Sequence, residues 1–299
     1  MSVLVTGGSG FLGSRLRLHR PDWIYVSSSD YNLLDRHECT QMFEDIGPTA
    51  VIHLAAIVGG IKANAENQAK FFTENCLINL NVISAAHKFG VERLLAALST
   101  CAFPDQVKRY PFTELDIFDG PPAQTNFSYG YSKRMLHVLV NSYREQYGVN
   151  YSTFSPSNLY GIGDNFDPHT SHFVPALIRK IYQAKDVDTV EFWGTGRPMR
   201  QQLFVDDLVN IIPELLEKHC TNLPLIVAAT ENLSIRSMAE TCCKIARKNI
   251  NIVFNGNLDG QYRKDGDNFE LIKLLGEISF TPFETGIDKT YKWYGDLNE

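Results

Sequence analysis

The sequence predicts an α/β fold: a doubly wound parallel sheet with a smaller C-terminal substrate-binding domain. Two observations carry this. Short apolar runs of strand length alternate with amphipathic, helix-length stretches through roughly the first 160 residues. The first run, Val3-Leu4-Val5, leads straight into Thr6-Gly7-Gly8-Ser9-Gly10-Phe11-Leu12-Gly13. Glycines at 7, 10 and 13 allow a tight turn and bring backbone N–H groups against a pyrophosphate at a helix N-terminus. This G-x-x-G-x-x-G turn reads as the phosphate end of a Rossmann-type dinucleotide site, against the plainer reading of a glycine-rich strand–helix turn.

The elements follow in order. Residues 14–18 continue as helix, and Trp23-Ile24-Tyr25-Val26 is the second strand. That strand ends in Ser27-Ser28-Ser29, where an NAD site usually carries a carboxylate for the ribose 2′-hydroxyl. No carboxylate stands in the run itself, which leans toward NADP, with Arg15, Arg17 and Arg36 as candidate phosphate partners or surface charges. Asp35 reads as the N-cap of a helix over 36–46. Val51–Ala56 is a buried strand ending in small residues, placing Leu54, Ala55 and Ala56 either against a nucleotide or in tight sheet packing. A helix over about 68–89 carries Asn75, read toward the cofactor, and Asn79, read as a capping or solvent residue. A fourth strand ends near Leu98, so Ser99-Thr100-Cys101 falls on the ligand-bearing edge of the sheet.

Tyr129-Gly130-Tyr131-Ser132-Lys133 comes next. A tyrosine and a lysine four apart on a helix share one face, and the ammonium is expected to lower the phenol's pKa. Cys101, beside this pair, reads either as a small buried residue or as a general base. Residues 149–159 return to strand. Residues 192–198 read as an exposed turn before 203–207, and a late strand at 226–229 precedes Ser234, the N-cap of a helix over about 235–247. The predicted nucleotide domain is 1–160, with 203–230 returning to it. The predicted substrate domain is 161–202 with 231–299.

Composition narrows the function. The chain has 299 residues, 44% apolar and 21% charged, with net charge −6. Without a basic run, nucleic-acid and anionic-membrane binding are not expected. No apolar stretch nears a membrane span and the N-terminus lacks the pattern of a signal peptide. The six cysteines, at 39, 76, 101, 220, 242 and 243, contain no Cys-x-x-Cys. No metal site or disulfide framework is implied, and reduced thiols in the cytoplasm are expected.

Taken together, the glycine turn, Ser99-Thr100-Cys101 and the Tyr129/Lys133 pair resemble the extended short-chain dehydrogenase/reductases. More narrowly, the chain is similar to the GDP-L-fucose synthase family. Shared stretches include 53–61, 98–104, 157–161, 164–166, Ser171-His172-Phe173-Val174-Pro175-Ala176-Leu177-Ile178 and 193–200. The resemblance implies an NADPH-dependent 3,5-epimerase and 4-reductase acting on GDP-4-keto-6-deoxy-D-mannose. It implies Ser99, Tyr129 and Lys133 as the reductive triad, Cys101 as epimerisation base and His172 as acid, although chemistry alone leaves His169 open. It implies a cofactor site of Gly7, Gly10, Phe11, Leu12, Gly13, Ser27, Ser28, Leu54, Ala55, Ala56, Asn75, Tyr129 and Lys133. The substrate set is Asn158, Lys180, Trp193, Arg200 and Lys264, with Arg263 or Lys264 toward the diphosphate. Lys180 stands where the family more often has arginine, which would preserve a point charge but not a bidentate contact. Related enzymes are homodimers, and the helices at about 68–89 and 130–147 are the candidate interface. A 4,6-dehydratase would want a carboxylate pair after Ser99, a simple 4-epimerase would need neither Cys101 nor His172, and a non-catalytic NADP sensor would not need the whole triad.

Overall fold

The computed structural model describes residues 1–256 and 259–298. Its strands are β1 (Val3–Thr6), β2 (Ile24–Val26), β3 (Ala50–His53), β4 (Arg93–Ala97), β5 (Asn150–Pro156), β6 (Asn158–Tyr160), β7 (Thr189–Phe192), β8 (Met199–Phe204), β9 (Pro224–Val227), β10 (Asn232–Ser234) and β11 (Asn251–Phe254). Its helices are α1 (Phe11–His19), α2 (Arg36–Ile46), α3 (Ile61–Glu66), α4 (Gln68–Lys88), α5 (Phe127–Tyr147), α6 (Phe173–Gln183), α7 (Val205–Lys218), α8 (Ile235–Ala246), α9 (Phe269–Leu275) and α10 (Phe283–Asp296).

Six parallel strands form the main sheet in the order β2-β1-β3-β4-β5-β9. The order reverses between β1 and β3, the point where such sheets open a crevice at the strand C-termini. The predicted fold class is therefore observed. Both faces of the sheet are covered. One core joins Leu4, Val51 and Leu94 to α2, α4 and α5 through Met42, Phe43, Val82, Ile83 and Leu136. The other joins Val5, Ile52 and Phe154 to α1 and α7 through Leu16, Leu208 and Ile212. Each such apolar side chain taken from water stabilises the fold by about 1.5–3 kcal/mol, which is why these strands read as unbroken apolar runs. A third core, built on α6, α8 and α10 around Tyr160, Leu177, Met238 and Ile287, forms the smaller domain.

The expected caps are present. Asp35 accepts from the backbone N–H groups of His37 and Glu38, and Ser234 from that of Ser237. The expected strand over 149–159 divides at Ser157, whose N–H donates to the Val227 carbonyl. β5 stays in the main sheet and β6 leaves it to pair with β8. The predicted substrate stretch 231–299 also divides. Leu271 of α9 and Phe280 belong to the core of the sheet domain, so the chain crosses between domains once more than the sequence indicates.

Candidate active site

The nucleotide end is built by close backbone packing. Gly7 has φ +73°, and a Cβ on Gly13 would lie 2.3 Å from the Gly7 carbonyl oxygen. Only glycine at 13 lets α1 begin this close to β1, which leaves the helix N-terminus open toward the strand ends. Phe11 and Leu12 pack on the core beneath, and Leu54, Ala55 and Ala56 form the adjoining half-buried edge after β3. Thr6 accepts from the Ala55 N–H and shares a hydrogen bond with buried His53. Burial, reinforced by Lys133, pushes His53 down to about 4, so it is neutral.

Several expectations at this end change. The Asn75 side chain, read toward the cofactor, is used within the protein: its amide accepts from the Ile57 N–H and donates to the Ile57 and Phe71 carbonyls, which fixes the loop after β3. Asn79 is not a cap or solvent residue but is buried, hydrogen-bonded to His53. The serine run is not free of carboxylate. Asp30 folds back to accept from both the N–H and the hydroxyl of Ser27, leaving Ser28 exposed beside them. A side chain three residues on reaches the strand end because the chain turns there. Of the three arginines, Arg15 pairs with Asp206 of α7, while Arg17 lies over the Tyr25 ring of β2 and acts on Asp30.

The cleft itself gathers side chains from both domains. Ser99 begins a short 3-10 turn, Thr100–Ala102, by accepting from the Cys101 N–H at 3.1 Å. Helix α5 lies directly against that turn. A Cβ on Gly130 would meet the Cys101 carbonyl oxygen at 2.5 Å, so the glycine between Tyr129 and Tyr131 permits the approach. Lys133 donates to the Ala97 carbonyl at the end of β4, 2.8 Å away, and Arg134 donates to the Ala102 carbonyl. Tyr129, Lys133, Ser99 and Cys101 thus meet at one strand end.

Their electrostatics differ from the simplest expectation. Burial, with the neighbouring Cys101, pushes the Tyr129 phenol up rather than down, and Ser99 opposes this only in part. The Lys133 ammonium lies 5.8 Å from the ring centroid and is satisfied by a carbonyl, so its pull on the phenol does not prevail. A phenol that keeps its proton is a donor, which suits delivery of a proton to a carbonyl oxygen. Burial pushes Lys133 itself down to about 8.

Cys101 moves the other way. Burial pushes its thiol up, but Lys264, with Ser99 and Arg200, outweighs this, and the net direction is down. The Lys264 ammonium is 2.9 Å from the Cys101 sulfur and only 7% of the residue is exposed. Lys264, expected at a diphosphate, is therefore engaged with the thiol. Arg263 points elsewhere, forming a two-pronged pair with Asp265 over the Tyr110 ring. The sequence offered no sign of the sulfur contact, since the partners are 163 residues apart.

His172 stands at the N-cap of α6. Burial and then Lys264 lower its pKa, which couples it to the same cluster. His169 is exposed in a turn whose N–H groups are held by Asp167, whereas Lys264 acts on His172. Arg200 on β8 acts on Cys101, and Asn158 lies on the neighbouring β6, beside Gln202. Lys180 does not join them. Its ammonium donates to the Glu191 carbonyl and lies over Phe192, because its long side chain reaches β7 first. Trp193, 69% exposed past β7, also stands apart. Among the described residues no group of histidine, cysteine, aspartate and glutamate could hold a metal ion, and no helix is long and apolar enough to cross a membrane.

Comparison with known proteins identifies the family. Residues 3–224 match the NAD dependent epimerase/dehydratase family. GDP-L-fucose synthase from Dictyostelium discoideum is 36% identical over 100% of this chain and 96% of that protein. The GDP-L-fucose synthase of Escherichia coli K12 is 33% identical over 98% and 96%. A crystal structure of a GDP-L-fucose synthetase from Naegleria fowleri bound to NADP superimposes with TM-score 0.90 at 33% identity, over 99% of this chain and 93% of that one. The chain is therefore a member of the NAD dependent epimerase/dehydratase family and, within it, belongs to the GDP-L-fucose synthases.

Proposed function

We propose that this enzyme converts GDP-4-keto-6-deoxy-D-mannose to GDP-L-fucose by 3,5-epimerisation and NADPH-dependent 4-keto reduction. The observation that carries the reading is the convergence of Ser99, Tyr129, Lys133 and Cys101 at the end of β4, with the Lys264 ammonium on the sulfur. The glycine turn at 7–13, whose close backbone packing leaves the α1 N-terminus open at the strand ends, fits a dinucleotide pyrophosphate. The preference for NADP over NAD rests on the NADP-bound relative, not on the serine run, because Asp30 stands there.

The residues divide the work as follows. The ketone at C4 makes the hydrogens on C3 and C5 acidic. The Cys101 thiolate removes one, and the electron pair of the broken C–H bond enters the enolate. Ser99 and Tyr129 hydrogen-bond the enolate oxygen. His172 returns a proton to the carbon from the opposite face, which inverts the centre. When bound, reduced nicotinamide supplies a hydride to C4. Tyr129 gives its proton to the oxygen, and the Lys133 ammonium stabilises the phenolate left behind. Asn158 and Arg200 contact the sugar nucleotide. Lys180 and Trp193 take part only if α6 and the turn after β7 move inward on binding.

Two coarser features complete the proposal. The enzyme is a homodimer through α4 and α5, which lie side by side on the sheet and expose Phe72, Leu77, Leu80, Val138 and Tyr147. It works in the cytoplasm, in keeping with six unpaired cysteines. The test is direct. Purified protein with GDP-4-keto-6-deoxy-D-mannose should consume NADPH and release GDP-L-fucose. Unchanged nicotinamide absorbance, with the substrate shown to be intact, would overturn the reading.

A further inference from the structure

We infer that Lys264 holds Cys101 as a thiolate, so that the epimerisation base is an ion pair assembled from two distant segments rather than a cysteine alone. This rests on the proposed role of Cys101. The geometry comes first. The ammonium and the sulfur are 2.9 Å apart. The lysine has little freedom to leave, because the strap that carries it is bound on both sides. Gln261 donates to the Pro104 and Asp105 carbonyls at 3.1 and 3.0 Å, and the Tyr110 hydroxyl donates to the Arg263 carbonyl at 3.0 Å. Beyond the lysine, the Phe112 N–H donates to the Asp265 carbonyl, and the Asp267 N–H to the Phe112 carbonyl, at 2.9 and 2.8 Å. The buried amide of Gln201 meets both the N–H and the carbonyl of Gly266, at 2.9 and 3.2 Å. These bonds tie the strap to the chain that follows Cys101 and to β8, which holds the ammonium against the sulfur.

The charges facing the sulfur have one dominant sign. Lys264 comes from the strap, Arg200 from β8 and Lys133 from α5, with neutral Ser99 and Tyr129 beside them. His172, at the start of α6, faces Lys264. Asp265, the nearest carboxylate on the strap, is held by Arg263, and Asp259 acts on Arg200. A thiolate is the group that balances this cluster. In each turnover the sulfur takes a substrate proton and becomes a thiol, while His172 gives one up. Exchange of both with water restores the starting state, and no other reactant is needed.

The experiment measures alkylation of Cys101 by iodoacetamide in the free enzyme, followed peptide by peptide by mass spectrometry across pH. Only the thiolate reacts. In wild type the midpoint should lie below the ordinary thiol range. In Lys264→Met it should rise by about one pH unit or more, cutting the rate at pH 7 about tenfold while the rate at high pH is kept. Lys264→Arg should stay near wild type. Gln261→Ala, which loosens the strap but leaves the lysine, should raise the midpoint by a smaller amount and serves if Lys264→Met does not fold. An unchanged midpoint in either variant would overturn the inference, even if GDP binding weakened, since Lys264 would then be only a substrate contact. No sugar substrate is used, so a failure here is distinct from a failure to reduce GDP-4-keto-6-deoxy-D-mannose.

Discussion

Two buried lysines face the same cleft, and their partners give them opposite roles. Lys133, 2% exposed, donates to a backbone carbonyl that carries no charge. The nearby Cys101 offsets the burial of this ammonium only in part, so its pKa falls to about 8 and its protonation is governed by its surroundings. Lys264, 7% exposed, donates to a sulfur that can ionise. It governs its neighbour, and the thiol is drawn down against the effect of its own burial. In the proposed reaction, reduction and epimerisation are thus tuned by the same residue type through the acceptor each lysine meets.

This contrast can be broken by experiment. The largest expected effect is from Lys133→Met. Reduction should fall by about 10²–10³-fold, with exchange of the substrate's C3 and C5 hydrogens much less affected. Parallel losses, measured by single-turnover NADPH oxidation and by NMR of exchange, would show that the two lysines do not have separate roles. A smaller effect is expected with pH. The folded-state pKa of Lys133 lies below its ordinary value, so the ammonium is present below about 8 and is lost as pH rises through it. The kcat/KM for reduction should therefore decline through that range. Lys133→Arg, whose guanidinium stays charged, should move the decline beyond about pH 10. A wild-type profile flat to pH 10 would contradict the assignment.

The local parts of this design were legible in the sequence. The glycine turn, the strand–helix alternation, the caps at Asp35 and Ser234 and the Tyr129/Lys133 face depend on residues within a turn or two of each other. Cys101 and His172 needed the family resemblance, because a lone cysteine and a lone histidine carry no periodic signal. What escaped depends on where side chains turn. Asn75 and Asn79 lie one turn apart on α4, and which faces the sheet depends on packing that helical spacing alone does not fix. Asp30 lies outside the serine run yet reaches back into it. Lys264 is polar and sits in a polar loop, so it reads as a surface charge until the strap is seen folded against Cys101. The pKa direction of Tyr129 was misjudged because burial, invisible in a four-residue spacing, outweighs a lysine whose ammonium is held elsewhere.

The proposal that Cys101 serves epimerisation and Tyr129 reduction is tested most directly by solvent exchange. GDP-4-keto-6-deoxy-D-mannose is incubated in D2O with wild type, Cys101→Ser and Tyr129→Phe, and deuterium at C3 and C5 is followed by NMR. Tyr129→Phe should retain exchange within about tenfold of wild type, having lost one hydrogen bond to the enolate, whereas Cys101→Ser should lose about 10²-fold or more. Equal loss in the two variants would contradict the account and remove Cys101 as the base.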